Sequence, residues 1–195
     1  FLDNSKIGKK MMTTLQTLKN AEKLAFDRKN RRVQPKKGLF VLFLKKISLI
    51  QLEDEWLYNE SGENLGSEWA TSSHNEQQGW LTGKGGIGFE SGSTIPISTR
   101  LSFPGRNDPY VVTYYFEKEF NLKQNELENL KSLIIRHAID DGALVHINGK
   151  EVLRVNMPDG IISSSTLAAN NIEVDELSEN VFIDSSSLIA GQNRI

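Results

Sequence analysis

The chain has 195 residues, which is enough for one well-buried domain with an appendage or for two small domains. Its 38% hydrophobic and 25% charged content is typical of a globular protein, and no apolar run approaches the roughly 18 residues of a membrane helix. The absence of cysteine excludes disulfides, thiolate metal sites and a cysteine nucleophile.

Charge divides the chain into two parts. Residues 1–46 hold 13 Lys/Arg and 3 Asp/Glu, whereas the remaining residues hold 10 Lys/Arg and 22 Asp/Glu. Such asymmetry indicates two units with different surroundings. The basic part either binds nucleic acid, anionic lipid or an acidic partner, or it is a solvated helix or an extension that docks on its own acidic body.

The first 37 residues are predicted to form a basic helical extension and a linker. Apolar residues recur at three- and four-residue spacing between residues 7 and 28, for example at Met11, Leu15 and Leu18, with lysines between them. Residues 29–37 contain Arg31, Arg32, Pro35 and two lysines, and this composition is typical of a linker. Residues 38–195 form the second predicted unit, and its apolar segment 39–50 is predicted to begin the β region.

After Glu53 the pattern indicates many short strands. Candidate strands are residues 56–58, 111–121, 132–139, 143–147, 150–155 and 181–183, and residues 83–92 and 98–108 are glycine-rich or polar loops. Short strands with long connections favour an antiparallel sandwich or barrel over a parallel α/β sheet. The predicted fold class is therefore mostly β.

The clearest local signal is Asn148-Gly149 between two apolar strands. Both central residues of a type I′ turn need positive φ, which Asn and Gly tolerate best. A two-residue turn at this point predicts the cross-strand pairs Val145–Val152, Leu144–Leu153 and His146–Glu151.

Several motifs in this part of the chain carry a family resemblance. They are Trp56, Trp69, Trp80, Gly83 and Gly88; residues 113–116 with Phe120; Asp140-Asp141-Gly142-Ala143 with Asn148-Gly149; Arg154 with Asn156-Met157-Pro158 and Gly160; and Leu188, Gly191 and Asn193. Over residues 53–195 the chain resembles the galactose-binding-like modules found beside metallophosphoesterase, lamin-tail, spore-coat-type and glycoside hydrolase domains. The resemblance implies an antiparallel jelly-roll β-sandwich in which Asn148, Gly149, Asn156, Met157 and Pro158 are structural motif residues.

The chain departs from this family in two places. Glu117 stands where the family usually has Arg, so any ion pair made there is altered. The sequence also ends at Ile195, where the family continues into a last strand, so the module is expected to lack its closing strand. Either segment 39–50, from the same or a second copy, covers the open edge beside residues 192–195, or the following residues of a larger protein fill it. The second-copy version predicts a homo-oligomer formed by strand addition.

Five side chains are candidates for ligand binding. Trp69 could stack on a sugar ring with His74 beside it, or pack in the core as Trp56 and Trp80 are expected to do. Asp140 and Asp141 suit a structural calcium ion or sugar hydroxyls, but they also suit a turn in which Asp caps backbone N–H groups and Gly142 takes positive φ. Arg154 either binds an anionic ligand or pairs with Asp140 or Asp141.

No catalytic constellation is recognisable in the sequence. The histidines at 74, 137 and 146 lack metal-ligand spacing, the serine runs lack a G-x-S-x-G context, and no phosphate-binding loop occurs. The sequence therefore predicts no catalytic residue, no metal and no cofactor. It favours a non-catalytic accessory module of a larger secreted or cell-surface protein, binding carbohydrate or packing against a neighbouring hydrolase domain. The alternatives are a structural or adhesive self-association module and polyanion binding through residues 1–37.

Overall fold

A computed structural model describes residues 46–89, 94–102 and 111–195. The chain separates into two units, Phe1–Ile47 and Ser48–Ile195, and nearly all the described residues belong to the second. The predicted helix and linker in residues 1–37 and the apolar segment 39–45 lie outside the described residues. The remainder of that apolar segment, residues 46–50, is not part of a strand.

Strands predominate in the described part of the chain, which confirms a mostly-β fold. The strands are β1 Glu55–Asn59, β2 Leu81–Lys84, β3 Ile87–Gly88, β4 Thr99–Arg100, β5 Tyr115–Glu117, β6 Glu119–Leu122, β7 Leu133–Ile135, β8 Ala143–Ile147, β9 Lys150–Val155, β10 Val181–Ile183 and β11 Gly191–Arg194. One short helix, α1 Gln124–Asn129, follows β6, and single 3-10 turns lie at Glu68–Ala70, Glu76–Gln78 and Ser185–Ser187. None of these helices is long and apolar enough to cross a membrane.

Most of the strand pairs are antiparallel. The order is β2–β1–β5 in a three-stranded sheet, and β6–β11, β7–β10 and β8–β9 form two-stranded antiparallel pairs. The pair β3–β4 is parallel, which differs from the purely antiparallel pattern expected from the sequence. Both of its strands have two residues and lie within the segments predicted as loops.

Strand β5 continues directly into β6 through Lys118. Lys118 exchanges both backbone hydrogen bonds with Ile195, at 2.9 and 3.0 Å, so the β6–β11 ladder extends to the last residue. Direct cross-strand partners lie on the same face of a sheet. Glu117 is opposite Leu57 and Glu119 is opposite Arg194, and alternation along the strand places both glutamates on one face.

The core is made of residues that these strands turn inward. Trp80 is 2% exposed and Leu122 is fully buried, and the other buried hydrophobic residues are Tyr58, Ala70, Leu101, Tyr115, Phe120, Ile147, Ile183 and Leu188. The prediction that Trp80 fills the core is confirmed. Trp56 is only half-buried, so the prediction that it fills the core as Trp80 does was wrong.

The hairpin β8–β9 forms with Asn148 and Gly149 at its tip, both with positive φ, as predicted. His146 is opposite Glu151, also as predicted. The predicted partners of Val145 and Leu144 were wrong, since these residues are opposite Leu153 and Arg154. The physical reason is a β-bulge: β9 has one residue more than β8, and the extra residue shifts every later pair by one.

Candidate functional site

Asp141 forms hydrogen bonds with the segments that contain Ile172 and Asn156. Its Oδ1 accepts a hydrogen bond from the N–H of Ile172 at 2.9 Å, and its carbonyl accepts one from Asn156 Nδ2 at 3.2 Å. Asn156, which has a φ of 48°, also donates to the carbonyl of Asn170 at 2.5 Å. The exposed Asp140 directly precedes this network. Asp141 does accept from a backbone N–H, but this N–H is 31 positions away, so Asp141 holds two distant segments together instead of capping the predicted tight turn.

Gly142 is needed for close packing. Its φ is not positive, so the predicted role of Gly142 in a left-handed turn was wrong. A Cβ atom at this position would lie 2.8 Å from Met157 Sδ and 3.1 Å from Ala168 Cβ. The acidic motif and the Asn156-Met157-Pro158 segment therefore meet in space, and Gly142 allows the approach.

Arg154 holds the loop that follows it. Its guanidinium forms a bidentate pair with Glu151 at 2.8 and 2.9 Å, and it donates to the carbonyls of Pro158 and Gly160. The prediction that Arg154 pairs with Asp140 or Asp141 was wrong. The bulge in β9 explains this, because it lets side chains three positions apart lie on the same side of the strand. The hydrogen bond from Arg154 is the main reason that the pKa of Glu151 is lowered.

The hairpin tip docks on the last strand. Asn148 donates from Nδ2 to Ser187 O and to Asn193 Oδ1, at 2.7 and 2.9 Å. Its Oδ1 accepts from Arg194 N at 2.9 Å, and its own N–H donates to Arg194 O at 2.9 Å. Within the described residues, β11 is therefore bound by β6 on one side and by Asn148 on the other.

Trp69 lies between two other rings. Its ring centroid is 5.0 Å from that of Tyr115 and 5.8 Å from that of His146, both edge-to-face. The side chain is half-buried, and burial lowers the pKa of His146. Trp69 thus contacts one ring from β5 and one from β8, an arrangement typical of packing.

His74 belongs to a different cluster from Trp69. Its ring stacks on the buried Trp80 with centroids 4.2 Å apart, and its Nδ1 lies 2.5 Å from Glu117 Oε2. An ionised carboxylate can only accept, so Nδ1 donates. The side chain of His74 is 10% exposed, which leaves little of the ring for a sugar.

The centre of this cluster is Glu117. Its other oxygen, Oε1, lies 3.1 Å from Arg194 Nε, an ion pair by distance, although the Nε proton has no acceptor in hydrogen-bonding geometry. Arg194 also donates to Glu119 Oε1 at 2.9 Å and to Ser73 Oγ at 2.5 Å. Glu117 thus links the loop before β2 to β11. Sequence reasoning identified Glu117 only as a departure from the resembled family, and it did not identify Arg194.

An exposed apolar pair lies on the sheet β7–β10. Phe182 and Ile134 are directly opposite each other, and they are 60% and 40% exposed. The residues next to Ile134 and Phe182 in their strands face inward, and one of them, Ile183, is buried. Exposed polar residues directly flank the two strands: Ser132 and Arg136 at the ends of β7, and Asn180 and Asp184 at the ends of β10.

Asp184 is held in place beside this face. Its carboxylate accepts from the hydroxyl and the N–H of Ser186, and these hydrogen bonds lower the pKa of Asp184. Lys150 Nζ lies 3.6 Å from the same carboxylate. We name the apolar pair with its flanking polar residues the outer β7–β10 face. Its signal in the sequence is weak, because the run Leu133-Ile134-Ile135 does not show which residue faces outward.

No group of three or more histidines and carboxylates within the described ranges could hold a metal ion. Comparisons of this chain with protein-family models, curated proteins and solved structures found no match.

Proposed function

We propose that this chain is a non-catalytic β-sandwich module of a larger secreted or cell-surface protein and that it binds carbohydrate through the outer β7–β10 face. The observation that carries the proposal is the exposed ring of Phe182 beside Ile134, with exposed polar residues at the ends of both strands. An aromatic ring stacks on the apolar C–H face of a sugar, while flanking acceptors and donors bind its hydroxyls.

The use of the motif residues supports a non-catalytic role. Asp141, Asn156 and Arg154 are occupied by hydrogen bonds that hold loops to strands. The sandwich architecture and the extracellular location rest on the family resemblance, which also supports carbohydrate as the ligand class. The sequence predicted that Trp69 and His74 contact the sugar. We propose Phe182 instead, because Trp69 and His74 both pack against other rings.

A glycan array probed with the labelled chain tests this function. We expect Phe182→Ala to weaken binding to any retained glycan about fivefold, because an aromatic stack contributes on the order of 1 kcal/mol. Leu167→Ala is the matched control, since Leu167 is 65% exposed and lies outside this face. Equal binding by Phe182→Ala and the parent chain would show that Phe182 is not part of the site. If the array retained no glycan, the proposed carbohydrate function would be wrong.

The second candidate function is self-association or docking on a neighbouring domain. The same apolar pair favours it, because a second protein surface could cover Ile134 and Phe182 as well as a sugar could. Sedimentation of the chain at rising concentration distinguishes the two candidates. Self-association that is lost in Phe182→Ser, with no glycan retained, would favour the adhesive role. Polyanion binding through residues 1–37 predicts instead a DNA affinity that falls steeply with salt.

A further inference from the structure

A second surface of the domain is a groove beside the end of β9. The groove has a volume of about 380 Å³. Its apolar lining consists of Ile139, Val155, Ile172 and Val174, and its remaining lining residues are His137, Glu173, Asp175, Glu176 and Ser178. A volume of this size accommodates several side chains.

The acidic side chains at this groove are not neutralised locally. Glu173, Asp175 and Glu176 are all exposed, and none of them forms an ion pair with another described residue. The neighbouring cation, Arg136, is directed to the carbonyls of Ser178 and Leu177 at 2.9 and 3.4 Å. Burial lowers the pKa of His137, so this ring adds no positive charge at neutral pH. The groove therefore presents negative charge above an aliphatic floor.

Part of the main chain along the groove is also open, although the carbonyl of Asp175 accepts a hydrogen bond from Thr94 Oγ1. Within the described residues, the backbone N–H and C=O groups of Glu173, Val174 and Glu176 form no hydrogen bond. The segment is held at both ends, because Ile172 N donates to Asp141 and Ser178 N donates to His137 O at 2.8 Å. A held segment with free donors and acceptors can form hydrogen bonds with the backbone of an extended chain.

We propose that this groove binds an extended polypeptide segment of a partner protein in which Lys or Arg residues alternate with aliphatic residues. The three features of the groove determine these properties. Free main-chain groups pair with a peptide backbone, the aliphatic floor takes alternate side chains, and the carboxylates attract the positive ones.

Fluorescence anisotropy with a short labelled peptide of lysine, leucine and valine tests the proposal on the full chain. We expect saturable binding that weakens about tenfold in Glu173→Gln/Glu176→Gln, since two exposed charge pairs are lost. The matched control is Glu53→Gln/Glu63→Gln, which removes the same charge from exposed residues elsewhere and should bind as the parent does. If both double variants bound the peptide equally weakly, the effect would come from overall charge, and the proposed site would be wrong.

Two altered peptides test the other features. A peptide with N-methylated backbone should bind at least about tenfold more weakly, because it cannot pair with the groove main chain. A peptide with serine in place of the aliphatic residues should also bind more weakly at equal charge. Unchanged affinity for either peptide would overturn the proposed mode. The glycan array reports on Phe182 separately, so failure of the peptide experiment and failure of the carbohydrate function are distinguishable.

Discussion

At the scale of single residues, Glu117 and Glu119 show how burial changes the contribution of one carboxylate. Both are close to Arg194, but the side chain of Glu117 is 3% exposed whereas that of Glu119 is 42% exposed. A buried carboxylate without partners is unfavourable, and a pair broken by removing one partner leaves the other charge unmatched. An exposed pair is screened by solvent and contributes little.

We therefore expect Glu117→Gln to lower the free energy of unfolding by about 3 kcal/mol and Glu119→Gln by less than about 1 kcal/mol. The substitutions are isosteric and remove one charge from the same arginine, so each is the control for the other. Urea unfolding of both variants measures the difference. A larger loss in Glu119→Gln would show that the loop carrying His74 is not held through Glu117.

At the scale of elements, the hairpin tip acts as a clasp on β11. Asn148 has a φ of 51°, and its side chain contacts Ser187, Asn193 and Arg194. The same residue therefore supplies the turn conformation and the tertiary contact. These two contributions can be separated, because glycine provides the first without the second.

We expect Asn148→Ala to cost about 2–4 kcal/mol, from lost hydrogen bonds and from a left-handed conformation that alanine disfavours. Asn148→Gly should cost roughly 1 kcal/mol less, since only the hydrogen bonds are lost. Thermal unfolding of the parent and the two variants gives these differences. Equal losses in the two variants would exclude backbone conformation as a contribution at this position.

At the scale of the whole molecule, the titrating groups predict that acid destabilises the fold. Burial lowers the pKa of His137 and of His146, so the folded protein holds them neutral below their ordinary pKa of 6.5, where the unfolded chain binds the protons. Stability is therefore lost as pH falls below that value. Glu151 acts in the same direction, because its lowered pKa adds stability above its ordinary pKa of 4.5 that is lost on further acidification.

We expect the melting temperature to fall between about pH 7.5 and about pH 5. The double variant His137→Asn/His146→Asn should show a smaller fall over the same interval, because its asparagines do not titrate. Calorimetry at several pH values measures both slopes. An unchanged slope in the double variant would assign the acid sensitivity to carboxylates instead.

The local features of this protein could be predicted from sequence. The Asn148-Gly149 turn defined the tip of the hairpin, and the strands at residues 143–147, 150–155 and 181–183 have the predicted bounds. These features depend on backbone preferences of neighbouring residues, which are already present in the unfolded chain.

Only the tertiary structure determined which distant residues contact each other. His74 and Glu117 are 43 positions apart and Ser73 and Arg194 are 121 apart, so no local pattern relates them. The bulge in β9 changed the partner of Arg154, and the exposure of Phe182 depends on which face of β7–β10 the core covers. Local sequence sets the period of a strand, whereas burial and ion pairing depend on which distant surface packs against it, because these contacts exist only after the chain has folded.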